Sequence, residues 1–91
     1  MIHEGLINQD LFEEWMGALL RDQGTDLFRS KGVLYFKDAT QKYVFQAVHM
    51  LMAGSMEGEI TKDEKPCNRL IFIGRNLNRQ ELEAGFNKCK I

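Results

Sequence analysis

The sequence is poor in the residues that mark specialised small proteins. It holds one proline and two cysteines in 91 residues. The two thiols, Cys67 and Cys89, lie far apart and fit neither a CxxC nor a zinc-knuckle spacing. That excludes a disulfide-stapled scaffold and the ordinary zinc fingers. No apolar stretch approaches the roughly 20 residues that cross a bilayer as a helix, and none near the start resembles a signal peptide. A dominant charge is missing too: 12 Lys+Arg stand against 13 Asp+Glu, mixed in sign along the chain. Nucleic-acid binders draw most of their affinity from a basic excess or stripe. The expectation is a cytoplasmic domain with reduced thiols that partners neither nucleic acid nor membrane.

What is present is ordinary globular material, 44% hydrophobic and 27% charged. A chain of this length makes one domain, residues 1–91, with no room for a second core. So short a domain buries only part of its unfolded surface, and docking against another body would add to a modest stability.

Residues Ile2 to Ile7 read as a weak edge strand or a frayed end. Leu11, Phe12, Trp15, Met16, Leu19 and Leu20 recur at helical spacing and predict a helix over Asp10–Gln23. Asp10 with Glu13 forms a capping-box pattern, and Gly24 offers a left-handed stop. Lys31–Phe36 reads as a strand, and Tyr43–Met52 as a longer one, joined by a polar turn into an antiparallel hairpin. Along the second strand, Val44, Gln46, Val48, Met50 and Met52 face one way. Tyr43, Phe45, Ala47, His49 and Leu51 face the other. Ala53–Asn68, with two glycines, Pro66 and several charges, reads as a long loop. Arg69–Gly74 is a nearly continuous apolar run, as in a strand that is central or covered on both faces. Asn78, with Glu81 three residues on, starts a second helix whose Leu82, Phe86 and Cys89 share a face. The expected fold is α+β: a ferredoxin-like partial sandwich in the order (β)αβββα. Its antiparallel sheet has three to four strands, with two helices on one face.

Chemistry is sparse. The junction Ile73-Gly74-Arg75-Asn76-Leu77-Asn78-Arg79-Gln80 lacks the glycine-rich turn and Lys-Ser/Thr of a phosphate loop. Its helix start, flanked by Arg75 and Arg79, is at most an anion-attracting cap. Arg75 and Asn76 are the one pair suggestive of an acylphosphatase-like site, but no arginine-bearing phosphate loop precedes the first helix. Neither cysteine has a base near it in sequence. For metal, His3, His49, Cys67 and Cys89 are the candidate ligands, and no two stand at ligand spacing. His49 together with His3 or a cysteine is the arrangement that would bind a transition metal directly. A partly buried sheet histidine is the plainer reading. Met50, Met52 and Met56 suit packing, an adaptable contact surface or soft-metal binding.

Three segments carry a more specific signal. They are Leu27-Phe28-Arg29-Ser30-Lys31-Gly32-Val33-Leu34, then Val44-Phe45-Gln46-Ala47-Val48-His49-Met50, then Asn68-Arg69-Leu70-Ile71-Phe72-Ile73-Gly74-Arg75-Asn76-Leu77-Asn78. Together they resemble the C-terminal domain of CobW-type metallochaperone GTPases: an Arg-x-Lys-Gly strand entry, a middle strand, and a Phe-Ile-Gly-Arg-Asn-Leu run into the last helix. The likeness covers nearly the whole chain. It departs at Gly58-Glu59-Ile60, where the family often has tryptophan.

The resemblance implies a non-catalytic regulatory or partner-binding domain of a GTPase that handles zinc, cobalt or cobalamin synthesis. The GTP site, its Mg²⁺ and the Cys-x-Cys-Cys metal motif belong to a GTPase domain outside these residues, so no catalytic residue is carried over. No cofactor is expected in this chain itself, beyond zinc or cobalt at His49. Expected partners are the GTPase domain, a metalloprotein client and a second copy of the chain. Arg29, Lys31 and Arg75 are the expected interaction residues, each able to pair with acidic groups on this domain or on the GTPase domain. A small enzyme on the same scaffold is the reading from a different class, requiring a pocket around Arg75 and Asn76.

Overall fold

Apolar residues at helical spacing build the first long element, α1 (Gln9–Gln23), which buries Phe12, Met16, Leu19 and Leu20. Its cap is Asn8 rather than Asp10. The Asn8 side-chain oxygen accepts a 3.0 Å hydrogen bond from the Leu11 N–H, satisfying a donor that the helix itself cannot. Glu13 instead accepts from the Gln9 side chain at 3.2 Å. Gly24 ends the helix in right-handed geometry, φ −59°, because the chain continues into a further turn, with Asp26 N–H donating to Gln23 O at 3.0 Å.

The computed structural model describes residues 1–49 and 51–91. Around α1 it places β1 (Ile2–Glu4), β2 (Leu27–Leu34), β3 (Gln41–Val48), β4 (Leu51–Glu59), β5 (Cys67–Gly74) and α2 (Arg79–Asn87). The strands form one sheet in the order β1-β5-β2-β3-β4. Every neighbouring pair is antiparallel. The α+β class and the two helices on one face are as the sequence implies. The sheet has a fifth strand, however. Much of the expected 53–68 loop is β4, and the β3 strand ends at Val48, which pairs with Leu51. His49 therefore lies in the hairpin turn with φ 54°, not in a strand beside Phe45. Met50, expected on the strand face with Met52, lies outside the described residues.

The core fills the space between helices and sheet. The Phe12 ring sits 5.5 Å from Phe45, 5.9 Å from Phe36 and 6.1 Å from Trp15 between centroids. Trp15 in turn meets Phe72 edge-on and packs on Phe86 of α2. Asn78 caps α2 by accepting from Glu81 N–H at 3.1 Å. Leu82 and Phe86 then turn inward. Each fully buried ring of this kind is worth roughly 1.5–3 kcal/mol of transfer free energy.

The stretch between β1 and α1 ties distant segments together. Ile7 N–H donates to Tyr35 O and Ile7 O accepts from Lys37 N–H, both at 2.9 Å, while Asn8 N–H reaches Cys89 O at 2.8 Å. Ile7 is itself fully buried.

Candidate functional site

Period-two alternation sends half of each strand away from the helices. Tyr43, Phe45 and Ala47 point into the core. Val44, Gln46 and Val48 point out, which settles which set forms the free face. The same holds across β5: Asn68 and Leu70 are buried, whereas Ile71 is 49% and Ile73 54% exposed. The apolar run of β5 thus serves two faces, only one of which is covered. The sheet leaves a shallow depression of about 600 Å³ on that side, lined among others by Lys31, Val33, Val44, Gln46, Arg69 and Ile71.

The register fixes how charge is set among these side chains. Arg29 stands opposite Ile73, Lys31 opposite Ile71, and Arg69 opposite Val33. On the other flank Lys31 faces Gln46 and Val33 faces Val44. Each cation thus has an apolar cross-strand neighbour, and alternate residues along a strand are about 7 Å apart. Among the described residues the ion pairs are Lys42–Glu64, Arg75–Asp26 and Arg79–Glu83. Arg29, Lys31 and Arg69 take part in none. Glu57, the one acidic residue on the lining, accepts a hydrogen bond from Ser55 Oγ at 3.1 Å.

The expected interaction residues therefore divide. Arg29 and Lys31 share the open face. Arg75 does not: its Nε donates to Asp26 Oδ1 at 2.8 Å and its N–H to Asp26 O at 2.9 Å, so it closes the turn after α1. Arg69 completes the trio and is not singled out by sequence reasoning. Its signal is parity with the exposed Ile71 and Ile73 on one strand.

The candidate metal ligands are not brought together. His3 pairs in register with Asn68, at the opposite edge of the sheet from the β3–β4 turn that holds His49. Three strand spacings and six residues of strand separate them, on the order of 25 Å. The His3 ring meets Phe86 in a tilted contact, 5.0 Å between centroids. Burial, then the Lys90 charge, lowers its pKa, and its Nε2 has no hydrogen-bond partner. Cys67 lies opposite Glu4 on the other side of the sheet. Cys89 is buried, its thiol pushed up by burial and donating to Gly85 O at 3.5 Å. His49 is exposed and meets Phe28 edge-on. Among the described residues no three His, Cys, Asp or Glu side chains are grouped to hold a metal. His3 and His49 are thus too far apart to share one ion.

The other polar cluster is structural. Glu64 Oε2 accepts from the Tyr35 hydroxyl and from Lys42 Nζ, the latter at 2.8 Å. These hydrogen bonds, Lys42 first and then Tyr35, hold its carboxyl at about 2. Thr61 N–H reaches the other oxygen at 3.3 Å, so the cluster clamps the β4–β5 connection onto the sheet. At Gly58-Glu59-Ile60, Gly58 takes φ 74° and Ile60 N–H bonds Thr40 O at 2.9 Å. No helix among the described residues is long and apolar enough to cross a membrane.

Comparison with known proteins agrees with this architecture. The chain is 32% identical over 71 residues to the zinc chaperone YjiA of Escherichia coli (strain K12), covering 78% of this chain and 22% of that protein. A crystal structure of Zn(II)-bound YjiA GTPase from E. coli superimposes with a TM-score of 0.89 at 26% identity, over all of this chain and 29% of the other. A Zn(II)-bound triple mutant of YjiA GTPase matches equally well. The chain thus spans less than a third of the length of these relatives. The model of the cobalamin synthesis protein cobW C-terminal domain matches residues 2–90, and the chain belongs to that family.

Proposed function

We propose that this chain is the non-catalytic, partner-binding domain of a GTPase concerned with zinc or a related transition metal, and that the open face of its sheet is the binding surface. The carrying observation is the combination found there: exposed Ile71 and Ile73 beside Arg29, Lys31 and Arg69, none of them ion-paired among the described residues. A sheet with apolar side chains on both faces is normally covered on both, and an apolar patch with a charged rim marks a protein contact. Two YjiA structures described as Zn(II)-bound GTPases share this fold over the whole chain, which makes the GTPase domain of the parent protein the first partner to test. A metalloprotein client is the second.

Methyl-labelled chain is titrated with that GTPase domain while GTP hydrolysis is followed. The expected result is chemical-shift change at the Val33, Val44, Ile71 and Ile73 methyls, with turnover by the GTPase domain altered and none by the chain alone. Turnover by the chain alone, or unmoved open-face methyls with both the GTPase domain and a client, overturns the reading.

A further inference from the structure

We infer that the occupant of the open sheet face is an acidic amphipathic α-helix of a partner protein, an inference that rests on the partner-binding reading above and names the chemistry of what binds. The first argument is charge. Arg29, Lys31 and Arg69 lie on the adjacent strands β2 and β5, and the described ion pairs leave all three without a carboxylate. The depression beside them offers Glu57 as its one acidic side chain, at the β4 side. A partner that brings carboxylates satisfies three cations at once, the two arginines in bidentate fashion.

The second argument is shape. Strands β5, β2 and β3 together are about 14 Å wide, counting neighbouring strands at about 4.8 Å. A helix with its side chains is roughly 10–12 Å across. Helix residues four apart are about 6 Å apart on one face, close to the spacing of Arg29 and Lys31 along β2. Glutamates at that interval can meet the cations while an apolar stripe between them rests on Val33, Val44 and Ile71. An extended strand laid on the same face would leave its backbone N–H and C=O groups without partners, since those of the sheet are used within it. A helix satisfies its own.

Two other occupants fit less well. A second copy packed face to face brings three more cations, with Glu57 as the one acidic side chain of its depression, too few carboxylates to pair them. A nucleic acid would meet the cations, but Tyr43, Phe45 and Phe72 turn their rings toward Phe12 and Trp15. Among the described residues that leaves Phe28, 43% exposed at the start of β2, as the one exposed ring of the strands, whereas a sheet face that holds single strands stacks several bases on its aromatics.

The test is a titration of the chain with three capped synthetic peptides of roughly 18 residues, long enough to hold a helix. One carries leucine at i, i+3, i+4 and i+7 flanked by glutamates. The second has lysine for every glutamate, and the third is the glutamate peptide scrambled. The expected result is that the glutamate helix binds at least about tenfold more tightly than either control and shifts the Ile71 and Val44 methyls. Combining Arg29→Ala, Lys31→Ala and Arg69→Ala is expected to cost at least about tenfold in affinity, as is raising salt severalfold. Should the triple variant not fold, the single change Lys31→Glu is read in the same way.

Equal binding of the lysine peptide overturns the inference. So does tighter binding of an oligouridylate, or a dimer in sedimentation whose interface is these residues. A response to the GTPase domain or a client with none to the glutamate helix overturns this inference and leaves the proposed function standing.

Discussion

The Asn68 side-chain oxygen accepts a 2.7 Å hydrogen bond from the backbone N–H of Tyr35, 33 residues away in sequence. The amide nitrogen of the same side chain donates to His3 O at 3.0 Å and Gly5 O at 2.7 Å. Asn68 is fully buried, so one side chain serves three backbone groups, two of which, Tyr35 N–H and Gly5 O, lie outside the strands. Replacing it with alanine strands those two, and an unsatisfied buried group costs about 1–3 kcal/mol. The Asn68→Ala variant is expected to lose about 2–4 kcal/mol in urea unfolding, with β1 released first in amide exchange.

Two glycines in helices give a test of opposite signs. Gly17 has open space where a Cβ would go. Gly17→Ala should therefore stabilise by up to about 1 kcal/mol, the ordinary helix propensity gain. A Cβ on Gly85 would run into the indole of Trp15, at the contact between α1 and α2. Gly85→Ala is expected to lower the melting temperature instead, since overpacking costs about 1–3 kcal/mol. Thermal melts of the two variants under one condition decide it.

Acid should loosen the clamp made by Glu64. Its carboxyl is held at about 2, against an ordinary 4.5, by hydrogen bonds from Lys42 and Tyr35. A depressed carboxyl contributes stability that is complete above the unfolded value and is lost as pH falls through the folded one. The window is thus from about 4.5 down to about 2. Melting temperature measured from neutral pH to pH about 2 should fall less steeply for Glu64→Gln than for the native chain. The two curves should converge at the acid end. Parallel curves would place the clamp elsewhere.

The legible parts of this fold were those written in one local period. The 3.6-residue spacing of Phe12, Trp15, Met16 and Leu19 and the Asn78–Glu81 pattern are complete within their own segments, so both helices could be read from them. Strand β4 could not. Gly54 looked like a loop residue, yet it is a packing residue: the Tyr43 ring lies where its Cβ would be, and only glycine lets the aromatic cross to the edge strand. Glu57, Gly58 and Glu59 reinforced the loop reading because an edge strand, exposed along most of its length, has no apolar alternation to show. Arg29 and Lys31 stood out within one segment. Arg69 joins them only through the β2–β5 register, a tertiary relationship. The separation of His3 from His49 is likewise a consequence of strand order, invisible in one dimension.

The adjacent residues Leu70 and Ile71 separate stability from binding. Leu70 is 1% exposed under the helices, and Ile71 is 49% exposed on the open face. Leu70→Ala empties part of the core and is expected to cost about 2–5 kcal/mol. Ile71→Thr keeps a β-branched side chain that suits a strand and removes apolar surface already half in water, so its cost should stay below about 1 kcal/mol. If the open face is a contact surface, the ranking reverses in binding. Ile71→Thr together with Ile73→Thr then weakens association with the GTPase domain by at least about tenfold, while the melting temperature barely moves. Leu70→Ala, assayed well below its own melting temperature, keeps that affinity. Chemical denaturation and a binding titration on the native chain and these three variants read both orders. A double threonine variant that binds as tightly as the native chain would return β5 to a purely structural role.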